Sequence, residues 1–218
     1  MATQRSKFGY GLAAGLLLVL RTGSAAGLEP IALPPPQTEG GRPLMQALKE
    51  RKSTREFAPG QLSRQQLGDL LWAAFGINRA DGHRTAPSAM NAQEIDVYVA
   101  TDGGLFLYQA GEHRLQPVME GDFRPKIGGQ PYVKEAPVNL LFVADFARMT
   151  KAKPADKDFY SGANTGYISQ NVYLYCASEG LGTVVYNLAD RTALAAAMKL
   201  RPDQKPVLGQ AVGRPRKL

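Results

Sequence analysis

The sequence predicts an α+β fold, and three observations carry that prediction. Residues 105–109 and 114–118 flank Ala110-Gly111-Glu112 as the two arms of a hairpin would. Residues 138–144 are almost continuously apolar, the pattern of a central strand covered on both faces. Residues 164–179 carry Ile168, Val172, Tyr173, Tyr175 and Cys176 on one broad face and stop at Gly180, as a long packed helix does. Hairpin strands, isolated strands and helices follow one another without the regular alternation of a doubly wound sheet.

The remaining elements follow in chain order. Arg5 and Lys7 precede an apolar run from Leu12 to Leu20 and then Gly23-Ser24-Ala25-Ala26, so residues 1–26 read as a secretory signal peptide and the protein as exported to the periplasm. That run is too short to span a bilayer, so a membrane span is not expected unless the leader is kept as an anchor. Residues 27–42 hold Pro30, Pro34, Pro35 and Pro36 with Gly40 and Gly41 and read as an extended tether; the domain proper runs from 43 to 218. Pro43 suits a first helical turn, followed by Leu44, Met45 and Leu48 at helical spacing and a cationic end at Lys49, Arg51 and Lys52. Ser63 and Gln66 make a capping box for a second helix, with Leu67, Leu70, Leu71, Ala74 and Phe75 as its stripe and Gly76 as its stop. Residues 95–100 alternate as a strand, and a strand, a short Ala-rich helix and a last strand at 207–212 close the chain.

Composition narrows the chemistry. The chain has 218 residues, 44% hydrophobic and 21% charged, which is globular usage. A single cysteine, Cys176, excludes an internal disulfide, and with only His83 and His113 no Cys/His metal cluster can be assembled. The net charge of +7 includes Arg5, Lys7 and Arg21 of the leader; without them 23 cations face 19 acids. The remaining cations are scattered apart from Arg214, Arg216 and Lys217, so an anionic small molecule is a better match than nucleic acid.

Three segments have chemical potential. In 51–55, an extended chain would project Arg51, Ser53 and Arg55 from one side, two guanidinium forks and a hydroxyl for a phosphate or an electron-rich ring edge. In 86–93, the Asn91 amide both donates and accepts. In 180–187, closely spaced glycines let backbone approach a flat ligand beside an apolar strand. Taken singly, these also describe a solvated charge run, a loop and a capped helix.

Together, in this order, they resemble the nitroreductase family of FMN-dependent oxidoreductases, including its thiazoline and oxazoline dehydrogenase branch. The marks are Arg51-Lys52-Ser53-Thr54-Arg55, residues 84–93, Gln170-Asn171 with Gly180-Leu181-Gly182-Thr183, and Val212-Gly213-Arg214-Pro215. The resemblance implies a mostly antiparallel central sheet flanked by helices in an intertwined homodimer, with two FMN pockets built from both subunits and the helix around Gln170 in the interface. It implies that Arg51, Lys52 and Ser53 hold the FMN phosphate and ribityl chain, with Arg55 on the pyrimidine edge, where a cation favours the reduced flavin. Pro87, Ser88, Ala89 and Asn91 would meet the flavin or ribityl hydroxyls, and Val185, Tyr186 and Asn187 the ring near N5. Arg214 or Arg216 would complete the phosphate site. The implied activity is hydride transfer between flavin N5 and a nitroaromatic, quinone or azoline-like substrate, with NAD(P)H as a transient donor and no catalytic side chain or metal. An exported flavin-binding protein of the same fold without turnover is the alternative.

Overall fold

The computed structural model describes residue 1 and residues 27–216; all but the first residue of the signal peptide predicted at 1–26, and Lys217 and Leu218, lie outside the described residues. In chain order its elements are β1 (Ile31–Ala32), α1 (Leu44–Glu50), α2 (Arg64–Phe75), β2 (Ile95–Ala100), β3 (Gly104–Gln109), β4 (Arg114–Glu120), α3 (Arg124–Ile127), α4 (Pro131–Glu135), β5 (Val138–Asp145), α5 (Lys157–Glu179), β6 (Gly182–Tyr186), α6 (Arg191–Ala197) and β7 (Gln204–Gly213).

The strands form one sheet in the order β1-β4-β3-β2-β5-β7-β6, every pair antiparallel. β5 lies inside it with all eight residues buried, which is why its sequence hardly alternates. Val138, Leu140, Phe142 and Ala144 face the layer that contains Leu70, Leu71 and Phe75 of α2 and Ile168, Val172 and Cys176 of α5. Leu141 and Val143 face the opposite layer, with Ile127, Val133 and Leu194 from α3, α4 and α6. The domain is therefore a three-layer α+β sandwich, as the strand and helix order predicts.

The capping box of α2 forms as the sequence predicts. Ser63 Oγ accepts from the Gln66 N–H at 3.1 Å, and Gln66 Oε1 accepts from the Ser63 N–H at 3.1 Å. α5 begins at Lys157, seven residues before its predicted start. Gly162 and Gly166 dilute the propensity signal there, and the burial of Ser161, Asn164 and Thr165 carries the turns that propensity does not. Its end matches the prediction, with Gly180 at φ 69° in the left-handed cap position.

Two further differences bear on the site. The proline-rich stretch is extended and docked: Ile31 pairs with Leu115, the Leu33 N–H donates to the His113 carbonyl, and the Gln37 N–H donates to Asp69. Within α1 only Ala47 is buried, while Leu44, Met45 and Leu48 of the predicted apolar stripe face outward.

Candidate functional site

α1 ends at Arg51, and the chain then runs extended beside the outer edge of β6. The Thr54 N–H donates to the Thr183 carbonyl at 2.9 Å. Further on, the Ala58 N–H donates to the Arg214 carbonyl, the Arg216 N–H to the Glu56 carbonyl, and Phe57 bridges Pro215. Residues 54–58 are thus laced to the C-terminal strand, which draws Arg55, Arg214 and Arg216 into one neighbourhood. Alternation then sorts the side chains, as an extended segment demands. Thr54 turns inward against Gly182, where a Cβ would lie 2.7 Å from its methyl group. Lys52 lines a cavity with Thr54, Arg42 and Glu50 that also reaches Tyr173.

A residue that the sequence presents only as part of an apolar stripe organises this corner. The Tyr173 hydroxyl lies 3.0 Å from Ser53 Oγ and accepts from the Val185 N–H at 3.0 Å, while the Arg51 guanidinium sits over its ring at 5.2 Å. One phenol thereby joins α1's exit, α5 and β6. Helical spacing makes Tyr173 look like core, and it is 7% exposed; its hydroxyl's role had no signal in the sequence.

β6 divides its residues between the two layers. Val185 is half-buried on the Tyr173 side. Tyr186 points the other way: its hydroxyl donates to Asn139 Oδ1 at 2.8 Å, its ring packs edge-on against Tyr132, and burial pushes its phenol pKa strongly up. Its side chain is committed to the far layer, so only its backbone is available at the mouth. Asn187 is exposed, and its Oδ1 accepts from Arg191 at 2.8 Å.

The loop with Pro87, Ser88, Ala89 and Asn91 is built from strained backbone. Met90, Asn91 and Gln93 all have positive φ, at 55°, 51° and 48°. Local bonds hold it: Ser88 Oγ accepts from the Gln93 N–H, and Asn91 Oδ1 from the Gln93 amide. Its anchor is Asn164 of α5, whose Oδ1 accepts from the Ala89 N–H at 3.2 Å and whose Nδ2 donates to the wholly buried Glu94 carboxylate at 2.8 Å. Asn164 and Tyr173 are nine residues apart on one helix, which is two and a half turns and about 14 Å. Within one chain, the loop and the Arg51–Ser53 cluster therefore sit on opposite flanks of α5.

Among the described residues Arg51, Arg55, Arg214 and Arg216 form no ion pair, which they share with Arg64, Arg79, Arg84, Arg114 and Arg191; what distinguishes the first four is that the backbone bonds of residues 54–58 bring their segments together. Cations brought together without ion-pair partners suit an anion. Cys176 is wholly buried and its thiol pKa is pushed up, so it presents no thiolate.

Known proteins share this architecture and this order of segments. The Nitroreductase family model matches residues 48–214. The crystal structure of a nitroreductase-like protein of Ralstonia eutropha superposes with a TM-score of 0.82 at 44% identity, covering 87% of this chain and 90% of that one. A nitroreductase-like protein of Methanocaldococcus jannaschii is 28% identical over 182 residues, 78% of this chain and 90% of its own. The NAD(P)H-dependent FMN reductase of Bacillus subtilis is 28% identical over 175 residues, 80% of this chain and 57% of its own. With the matched region running from the end of α1 to the residue that meets Ala58, and so enclosing the cation-bearing corner except Arg216, the chain belongs to the nitroreductase family.

Proposed function

We propose that this protein is an FMN-dependent oxidoreductase that moves hydride between flavin N5 and a small organic substrate, nitroaromatic, quinone or azoline-like, with NAD(P)H as donor. The observation that carries this reading is the corner where Arg51 and Ser53 meet on Tyr173 beside Val185, with Arg55, Arg214 and Arg216 nearby and unpaired. It suits FMN, whose phosphate needs uncompensated cations and whose flat ring needs an apolar floor with free backbone beside it.

The reactive chemistry is supplied by the flavin when bound; the chain's residues bind and orient. Arg51, Arg214 and Arg216 would neutralise the phosphate, Ser53 would take a ribityl hydroxyl, and Arg55 would set a positive charge at the pyrimidine edge. Val185 would form the floor, and the Asn187 backbone would approach N5. The poverty in histidine fits a reaction that needs no side-chain acid or base.

The separation of Asn164 from Tyr173 supports a homodimer in which each pocket takes its cations from one subunit and its Pro87-Ser88-Ala89-Asn91 loop from the other. A surface is ready for such a partner. α5 exposes Phe159 and Tyr167 beside Gly162 and Gly166, where an added Cβ would meet nothing within 4 Å, and α1 exposes Leu44, Met45 and Leu48. Phe159 is 74% and Met45 76% exposed, apolar surface that a partner subunit would cover.

The test is a visible absorption spectrum of the purified protein, taken after incubation with excess FMN and desalting. Retention of about one flavin per subunit, bleached by NAD(P)H and restored by a quinone or nitroaromatic, is the expected result. A colourless protein overturns the reading, and a flavin that only dithionite reduces points to binding without turnover.

A further inference from the structure

Past Tyr186 the sheet has an unfilled end. β6 pairs only with residues 209–213 of β7, while β7 begins at Gln204, so residues 204–208 have a strand on the β5 side alone. α6 and the start of α5 close over this gap and leave a cavity of about 480 Å³. Phe146, Ala195, Leu200, Pro206 and Val207 give it apolar walls, and its size is that of a site for a small organic molecule.

Three cations stand at its rim, and their partners differ. Arg201 is held by Asp145 at 2.8 Å and Asp203 at 3.2 Å, and Lys205 by Asp158 at 3.3 Å. Arg191 has no carboxylate among the described residues. One terminal nitrogen donates to two neutral oxygens, Asn187 Oδ1 at 2.8 Å and the Val207 carbonyl at 2.9 Å. Those bonds fix the guanidinium across the missing end of β6 and leave Nε and the other terminal nitrogen without a protein acceptor among the described residues. A planar fork with unspent donors and unspent charge matches a carboxylate, whereas one cation among apolar walls compensates a phosphate dianion poorly.

We propose that this cavity binds an apolar organic carboxylate, its acid group on Arg191 and its body against Phe146, Leu200, Pro206 and Val207. The site is distinct from the Tyr173 corner, although Asn187, which holds Arg191, is also the residue proposed to meet the flavin near N5. It does not depend on flavin for its recognition.

The experiment is calorimetric titration of the protein with indole-3-acetate and with its neutral isostere indole-3-acetamide, at low salt. The acid is expected to bind at least ten-fold more tightly than the amide. Arg191→Gln should abolish that preference by weakening the acid alone, and Ala195→Leu, which fills the cavity without touching the cation, should weaken both. Equal affinities, no binding of either probe, or an acid affinity that neither variant changes would overturn the proposal. A protein that binds the acid by this pattern yet holds no FMN would sink the oxidoreductase reading and leave this site standing.

Discussion

Ser53 and Tyr173 lie 120 positions apart in the chain and share a 3.0 Å hydrogen bond between their hydroxyls. Because the same phenol oxygen also accepts from the Val185 N–H, it ties the segment that leaves α1 to the strand that would floor the cofactor. Tyr173→Phe keeps the ring beneath Arg51 and removes only that oxygen. It should cost about 1–3 kcal/mol in urea unfolding, the penalty for a backbone donor left unpaired, and weaken FMN several-fold by fluorescence titration. Unchanged stability together with unchanged FMN affinity would show that the bond organises nothing.

Arg51→Ala combined with Arg55→Ala removes two unpaired cations without breaking any carboxylate contact. FMN affinity should fall at least ten-fold, by about 1.4 kcal/mol or more, while the melting temperature of the flavin-free protein barely moves. The comparison of the two readouts separates loss of binding from loss of fold.

Asn164 stands between an acid and a loop, so its donor and acceptor ends can be tested apart. Asn164→Ala strips the Glu94 carboxylate of the one hydrogen bond it has among the described residues and frees the Ala89 N–H, at about 2–3 kcal/mol. Asn164→Asp keeps the size and places an acid against an acid. At pH 7 it should be the less stable of the two variants, and it should recover ground as the medium is acidified; denaturation at pH 7 and pH 5 decides.

Gly209 lies against the Tyr186 ring, where an added Cβ would overlap it. Gly209→Ala should lower stability by about 1–3 kcal/mol in thermal melts through overpacking. Much of that loss should return when Tyr186→Leu removes the ring; a loss that persists would place the cause in the backbone.

His113 gives the acid side of the stability curve. Its Nδ1 bonds the Tyr108 hydroxyl at 2.9 Å, its Nε2 is buried near the Pro34 carbonyl, and burial holds its pKa below 6.5 against the weaker upward pull of Pro34 and Asp69. Below pH 6.5 the unfolded chain therefore takes up a proton that the folded chain resists. Stability should fall as pH drops from 6.5, with a slope of up to about 1.4 kcal/mol per pH unit, until the folded form also protonates. His113→Gln should flatten the profile between pH 7 and 5.5.

Local chemistry explains what was legible in the sequence. Ser63 and Gln66 announce the start of α2 because a capping box is a matter of three-residue spacing, and β5 announces its two-sided burial through apolar continuity. Alternation along 51–55 sets Ser53 and Arg55 apart from Thr54, and the same parity turns Tyr186 away from Val185. What the sequence hides depends on distant partners. β1 is two residues of a proline-rich stretch that become a strand only against Leu115 and Arg114. Tyr173 is a stripe residue until Ser53 and Val185 arrive. That Pro87-Ser88-Ala89-Asn91 and Arg51 occupy opposite flanks of α5 emerges only when the helix is folded between them.

The run from Thr54 to Phe57 has a second consequence, for handling the protein. By covering the outer edge of β6 it denies that strand to other chains, and an uncovered edge is a template for aggregation. Arg55, which would meet the cofactor's pyrimidine edge, stands on this same cover. Preparations stripped of flavin should therefore be the ones that cloud on storage, and saturating FMN should serve as their preservative.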